Sequence, residues 1–179
     1  IVVGSNNKNV INKIRSLYDP LIKKGANFFS TNRRGAELIK YAANAFLATK
    51  ISYINEIANL CEKTAVDIED VSIAIGMDQR IGSRFLRAGP AYGGSCFPKD
   101  TKALTVTGDS FKTNLSIVKS VIKSNENRKH ILTKRIKEIL SNKIKGKTIS
   151  LLGVTFKPNT DDMRESSSLV MVPYLLKHG

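Results

Sequence analysis

The run Gly93-Gly94-Ser95-Cys96-Phe97-Pro98-Lys99-Asp100 places a thiol between a glycine pair and a proline, with a cation and a carboxylate directly after it. Glycine has no Cβ and tolerates positive φ, so backbone there can approach a ligand closely. Pro98 suits the first turn of a helix, where its missing N–H costs nothing. Cys96 would then precede a helix N-terminus, whose partial positive charge favours thiolate over thiol. Asp100 falls four residues on and can face the same cavity as Cys96. A nucleophile, a cation and a carboxylate at one turn point to covalent catalysis. The other cysteine, Cys61, sits in the run Ile57-Ala58-Asn59-Leu60-Cys61. It reads as core, the ordinary place of a free cysteine.

A second polar pair lies on the longest helical pattern. Lys40 and Asn44 are four apart and share a helix face. The stretch around them, Glu37 to Phe46, is otherwise apolar and small. The pair either faces solvent or lines a polar pocket, and the small neighbours allow something to pack closely.

These residues need elements to position them. Periodicity predicts an amphipathic helix over 6–18, with Val10, Ile11, Ile14 and Leu17 on one side and Asp19-Pro20 at its end. A short strand is expected at 26–30, then Thr31 or Asn32 as a cap. A helix follows from Arg33 to about residue 65 and spans roughly 45–50 Å at 1.5 Å per residue. Its length suits a spine between domains or an oligomer interface. Further helices are expected over 67–76, from Pro98 to about residue 106, over 115–142 and over 166–177, the last capped by a serine. Arg80 to Phe85 is a polar, basic segment leading into the glycine-rich loop Gly89–Gly94. Residues 148–154 read as a buried strand opening a parallel sheet.

Composition narrows the classes. The chain has 179 residues, 41% of them hydrophobic, and a net charge of +14. The basic residues are dispersed, and aromatic residues are 7% with no tryptophan. Stacking platforms for nucleic acid are therefore scarce, and the charge fits a solvated surface and a small anionic ligand better. Two dissimilar cysteines argue for a reducing compartment, hence the cytoplasm, and against a disulfide framework. No apolar run reaches the length of a membrane span. The chain opens Ile1-Val2-Val3-Gly4 and stops soon after one strand–helix unit, so a truncated chain is expected.

Glu37-Leu-Ile-Lys-Tyr-Ala-Ala-Asn-Ala-Phe46, Gly93 to Asp100, and Gly153-Val-Thr-Phe-Lys-Pro-Asn-Thr-Asp-Asp-Met-Arg-Glu-Ser166 together resemble the UDP-glucose 6-dehydrogenases in order and spacing. The resemblance covers essentially the whole chain. The Ser-Cys-Phe-Pro-Lys-Asp form is nearer the UDP-glucose enzymes than the GDP-mannose or UDP-N-acetylmannosamine branches. It implies an α/β protein: a mostly α-helical central dimerisation domain with a long spine helix, flanked by pieces of two Rossmann-like domains. Residues 1–30 would end an NAD-binding domain, 31–112 would form the central domain, and 113–179 would open the UDP-sugar-binding domain.

The implied reaction oxidises UDP-glucose to UDP-glucuronate in two hydride transfers to NAD, supplying polysaccharide precursors. Cys96 would trap the aldehyde as a thiohemiacetal and pass through a thioester. Lys40 would stabilise the oxyanion, Asn44 would donate a hydrogen bond to it, and Asp100 would act through water. Phe85, Leu86, Arg87, Ala88, Gly89 and Gly93 would hold the nucleotide sugar, joined by Phe156 and Lys157. Lys99 and Arg164 would meet NAD beside Cys96. Arg80 would reach the partner subunit's site, making a homodimer through the central helices obligatory. No metal, membrane or nucleic acid is implied. The family's G-x-G-x-x-G fingerprint is absent here. The alternatives are a sister nucleotide-sugar enzyme, such as a GDP-mannose 6-dehydrogenase, and a non-catalytic helical dimerisation module.

Overall fold

The computed structural model describes all residues from 1 to 179. It divides into two compact units, Ile1–Ala43 and Asn44–Gly179.

In the first unit, β1 (Val2–Gly4) pairs in parallel with β2 (Phe29–Thr31), Val2 opposite Phe29. A parallel pair needs a crossover between its strands. Here α1 (Lys8–Leu17) and α2 (Asp19–Ile22) supply it. The Asn7 side chain caps α1 by accepting from Asn9 and Val10 N–H. Pro20 stands in the first turn of α2, where a proline costs no hydrogen bond. β1 is an addition to the expected elements, signalled only by two valines.

Helix α3 (Arg33–Thr64) runs from the first unit into the second and is about 48 Å long. Of the two candidate caps it is Asn32 that acts, its Oδ1 accepting from Gly35 N–H at 2.8 Å. The helix ends where Ala65 turns left-handed and Val66 N–H closes onto the Cys61 carbonyl, a regular C-terminal motif.

The second unit adds α4 (Ile68–Gly76), α5 (Phe97–Ser110), α6 (Ser116–Ile139) and α7 (Ser168–Lys177). Helix α6 packs against both α5 and α7. The core beside the cysteine loop is Ala48, Tyr92 and Val121, with Ile51 and Phe97 packed on it. Cys61 is buried, as expected of a core thiol.

Two expectations are corrected. Residues 148–154 form no strand. A strand requires a neighbour for its backbone ladder, the only sheet in the chain is β1–β2, and Leu152 is fully exposed. The fold is thus mostly α-helical, with one spine-like helix and one two-stranded sheet, and not two recognisable Rossmann pieces. Ser167 is the N-cap residue of α7, as expected, but its side chain makes no capping bond. Ser166 and Ser168 instead donate to the Val154 carbonyl, at 2.8 and 2.5 Å, closing the 155–165 loop at its base. No helix is long and apolar enough to cross a membrane.

Candidate active site

Cys96 is the N-cap residue of α5, with Pro98 in the first turn. Its thiol is exposed and lies 3.8 Å from the Ser95 hydroxyl. The helix runs to Ser110, four residues beyond the expected end, because Gly108 packs its open Cα face on Leu115 and Thr113 instead of breaking the turn. Asp100 sits one turn inside α5, its N–H donating to the Cys96 carbonyl. It is 3% exposed. Asn44 Nδ2 donates to Asp100 Oδ2 at 2.5 Å, and Lys99 Nζ lies 3.3 Å from Oδ1. The Asn44–Asp100 bond joins α3 to the turn that carries the thiol. Lys40 stands one turn before Asn44 on α3 and is exposed, so the pair shares a helix face but not an environment.

A cavity of about 270 Å³ adjoins this turn, lined by Phe85, Arg87, Gly89, Gly93 and Phe156, with Ile51, Asn55, Ala91, Tyr92 and Phe97. It gathers five residues singled out from the sequence. Leu86 is buried instead of lining it, and neither Cys96 nor Asp100 faces it. Phe85 holds φ at +65°, a strained setting for a bulky side chain. Its ring meets Phe97 edge-on at 6.1 Å, and Tyr92 meets Phe97 likewise at 6.0 Å. Burial pushes the Tyr92 phenol up to about 12.

The glycine pair is explained by what covers it. A Cβ on Gly94, whose φ is +78°, would lie 2.5 Å from the Phe156 ring. A Cβ on Gly93 would lie 2.8 Å from the Glu165 carbonyl. The close approach expected of a ligand is made by the 155–165 loop itself. Gly94 N–H donates to the Arg164 carbonyl at 2.7 Å.

The remaining candidates are placed as follows. Arg164 forms a fork with Asp162, at 2.9 and 2.6 Å. Its hydrogen bonds hold Asp162 down to about 2. The same bonds raise the Arg164 guanidinium, with a lesser electrostatic pull from Cys96. Lys157 is exposed and Ala88 half-buried. Arg80 pairs with Asp78 of its own chain at 2.6 Å while remaining 90% exposed. Lys50 Nζ secures the turn after it by donating to the Ile81 and Gly82 carbonyls.

Sequence reasoning missed the residues that hold the loop. Ser72 Oγ donates to the Leu86 carbonyl, and Asn55 Oδ1 accepts from Gly89 N–H at 2.7 Å. Arg128 donates to the Gly89 carbonyl, and Asn125 accepts from Tyr92 N–H further along the loop. The available signal was amide and guanidinium groups at helical spacing, Asn55 with Asn59 and Asn125 with Arg128. That pattern reads equally well as a solvated face.

Residues 34–127, more than half the chain, match the central domain of the UDP-glucose/GDP-mannose dehydrogenase family, and residues 150–179 match its UDP binding domain. The UDP-glucose 6-dehydrogenase of Rickettsia prowazekii is 49% identical over 176 residues, 98% of this chain and 41% of that protein. A UDP-glucose dehydrogenase structure from the hyperthermophilic archaeon Pyrobaculum islandicum has a TM-score of 0.91 at 38% identity, covering 99% of this chain and 40% of that one. A UDP-D-ManNAc dehydrogenase structure from Pyrococcus horikoshii gives 0.82 at 25% identity, covering 98% and 41%. The chain spans about two fifths of the length of the curated relatives it matches. With residues 34–127 and 150–179 matched to its two domains, this chain belongs to the UDP-glucose/GDP-mannose dehydrogenase family.

Proposed function

We propose that this chain carries the nucleophile and part of the sugar-nucleotide site of an NAD-dependent UDP-glucose 6-dehydrogenase. The observation that carries the reading is the exposed Cys96 at the N-cap position of α5 beside the buried Asn44–Asp100 pair. Identity near 49% to UDP-glucose enzymes, against 25% to the UDP-D-ManNAc enzyme, supports glucose as the sugar. On this reading residues 1–30, 31–112 and 113–179 divide between the NAD-binding, central and UDP-sugar-binding parts.

Cys96 Sγ adds to the C6 aldehyde carbon, forming a C–S bond and placing negative charge on the aldehyde oxygen. Asn44 has two amide protons and spends one on Asp100, which leaves the other for that oxygen. Lys40 is the cation assigned to the same charge. Water then breaks the C–S bond at the thioester stage, releasing the carboxylate and returning the thiolate. Asp100, acceptor-only when ionised, takes up the proton of that water. Phe85, Arg87, Gly89 and Gly93, with Phe156 and Lys157, form the wall for the sugar nucleotide. Lys99 and Arg164 are exposed cations whose chemistry fits a diphosphate. They would hold NAD, which when bound supplies the hydride acceptor for both oxidations.

Exposed apolar residues on α3 support a homodimer. Phe46, Tyr53 and Leu60 are seven apart and 66%, 54% and 57% exposed. That heptad spacing makes one seam for a partner helix, and Arg80 is the residue offered to the partner's site.

The test is NADH formation at 340 nm by the full-length gene product with UDP-glucose and NAD, beside Cys96→Ser. The expected yield is two NADH per UDP-glucose, with the variant stalled. No NADH from the intact protein would refute the assignment.

A further inference from the structure

The segment from Phe85 to Ser95 has no regular secondary structure. Its backbone polar groups find no ladder, and the pairing they have, the Gly94 N–H apart, comes from side chains. Most of that pairing comes from one face of α6. Asn125, Arg128 and Lys129 are 3%, 7% and 3% exposed. They stand at i, i+3 and i+4, the spacing of a shared face, and the proposed chemistry uses none of them.

Asn125 closes both backbone bonds of Tyr92. Its Oδ1 accepts from Tyr92 N–H at 2.8 Å, and its Nδ2 donates to the Tyr92 carbonyl at 3.0 Å. Arg128 Nε donates to the Gly89 carbonyl at 3.0 Å, and its Nη1 donates to Asn59 Oδ1. Lys129 donates to Glu165 at 2.9 Å and to Glu126 at 3.0 Å. Glu165 is the residue whose carbonyl covers Gly93, and its neighbour Arg164 receives the Gly94 N–H. One turn of α6 therefore grips both the glycine loop and the segment that covers it.

Stability alone does not select these residues, because well-packed apolar side chains of similar volume often serve as well as buried, paired charges. What the polar groups add is a fixed geometry. We propose that Asn125, Arg128 and Lys129 are positioning residues, the first two holding the Gly89 and Tyr92 backbone and the third holding Glu165 over Gly93, and that together they place the Cys96 thiol. The role assumes Cys96 as nucleophile, the reading given above.

The experiment compares wild type, Asn125→Ala, Lys129→Met, Lys129→Arg and Glu165→Gln in the full-length gene product. Two quantities are measured on folded protein well below its melting point. One is the rate of Cys96 alkylation by iodoacetamide without ligand, and the other is kcat/KM with UDP-glucose. Asn125→Ala and Lys129→Met should change the alkylation rate and lower kcat/KM about 10- to 100-fold, the scale of a 1 Å misplacement. Lys129→Arg, which keeps the ion pairs, should recover most of the loss. A merely structural role would lower the melting point and leave both rates alone. Folded variants within twofold of wild type in both would overturn the proposal. If Asn125→Ala does not fold, Glu165→Gln decides: it removes the charge Lys129 holds while keeping the side chain's size at a position 41% exposed, and it should change both rates in the direction of Lys129→Met. A wild type without NADH formation would refute the functional reading, and the alkylation rates would still decide the positioning role.

Discussion

Cys96 and Cys61 are chemically identical and differ in surroundings: one stands exposed at a helix N-terminus, the other is 5% exposed in a packed helix. Iodoacetamide at neutral pH should therefore label Cys96 first, with Cys61 reacting only on unfolding, as peptide mass mapping would show. Asn44 is the second residue with a clear cost. Asn44→Ala leaves the buried Asp100 carboxylate without its closest donor. Such a loss costs about 1–3 kcal/mol, and the midpoint of urea unfolding should fall accordingly. Both residues were legible in the sequence. The thiol stood among glycine, proline, lysine and aspartate, and the asparagine stood among small apolar neighbours. Asn55, Asn125 and Arg128 were not legible. Their role is to pair backbone groups of a loop whose path no local pattern specifies. A polar residue that serves a distant loop has the same sequence signature as one that faces water.

At the scale of elements, the tie between α6 and the 155–165 loop has a defined pH window. Glu165 is lowered from the ordinary carboxylate range, first by its hydrogen bond from Lys129. Burial opposes charge on Lys129, but its bonds to Glu165 and Glu126 outweigh it and the ammonium is raised. The carboxylate's contribution is present above the unfolded value near ~4.3 and is lost as pH falls through the lower folded value. The ammonium's contribution is present below ~10.4 and is lost as pH rises through the higher folded value. The difference in melting point between wild type and Glu165→Gln should be constant from about pH 5 to about pH 10 and shrink below about pH 4. It will be small, because Glu165 is 41% exposed and water screens it. The longer helices were legible to within a few residues at their ends, because apolar residues recur at helical spacing along them, whereas the four-residue α2 was not expected beyond Asp19-Pro20. Residues 148–154 show where local pattern fails. Their apolar run is what a buried strand needs, but a strand also needs a neighbour, and propensity contains no information about neighbours.

For the molecule as a whole, the exposed seam of Phe46, Tyr53 and Leu60 sets an expectation about assembly. On the proposed dimer, Tyr53→Glu would place a carboxylate in the middle of the seam. It should shift the full-length gene product from dimer towards monomer in sedimentation velocity, with activity falling in parallel if Arg80 serves the partner's site. An unchanged sedimentation coefficient would remove α3 as the interface. The glycine loop has a different consequence at this scale. Gly94 and Phe156 are far apart in the chain, yet the ring occupies the space a methyl group on Gly94 would need. Neither position is free to drift by itself. Gly94→Ala should be severely damaging, and Phe156→Ala should rescue it only in part, because the φ of +78° still disfavours any side chain. Among descendants of this gene, the two codons are bound to a common history, and a lineage that loses the glycine must also move or give up the ring.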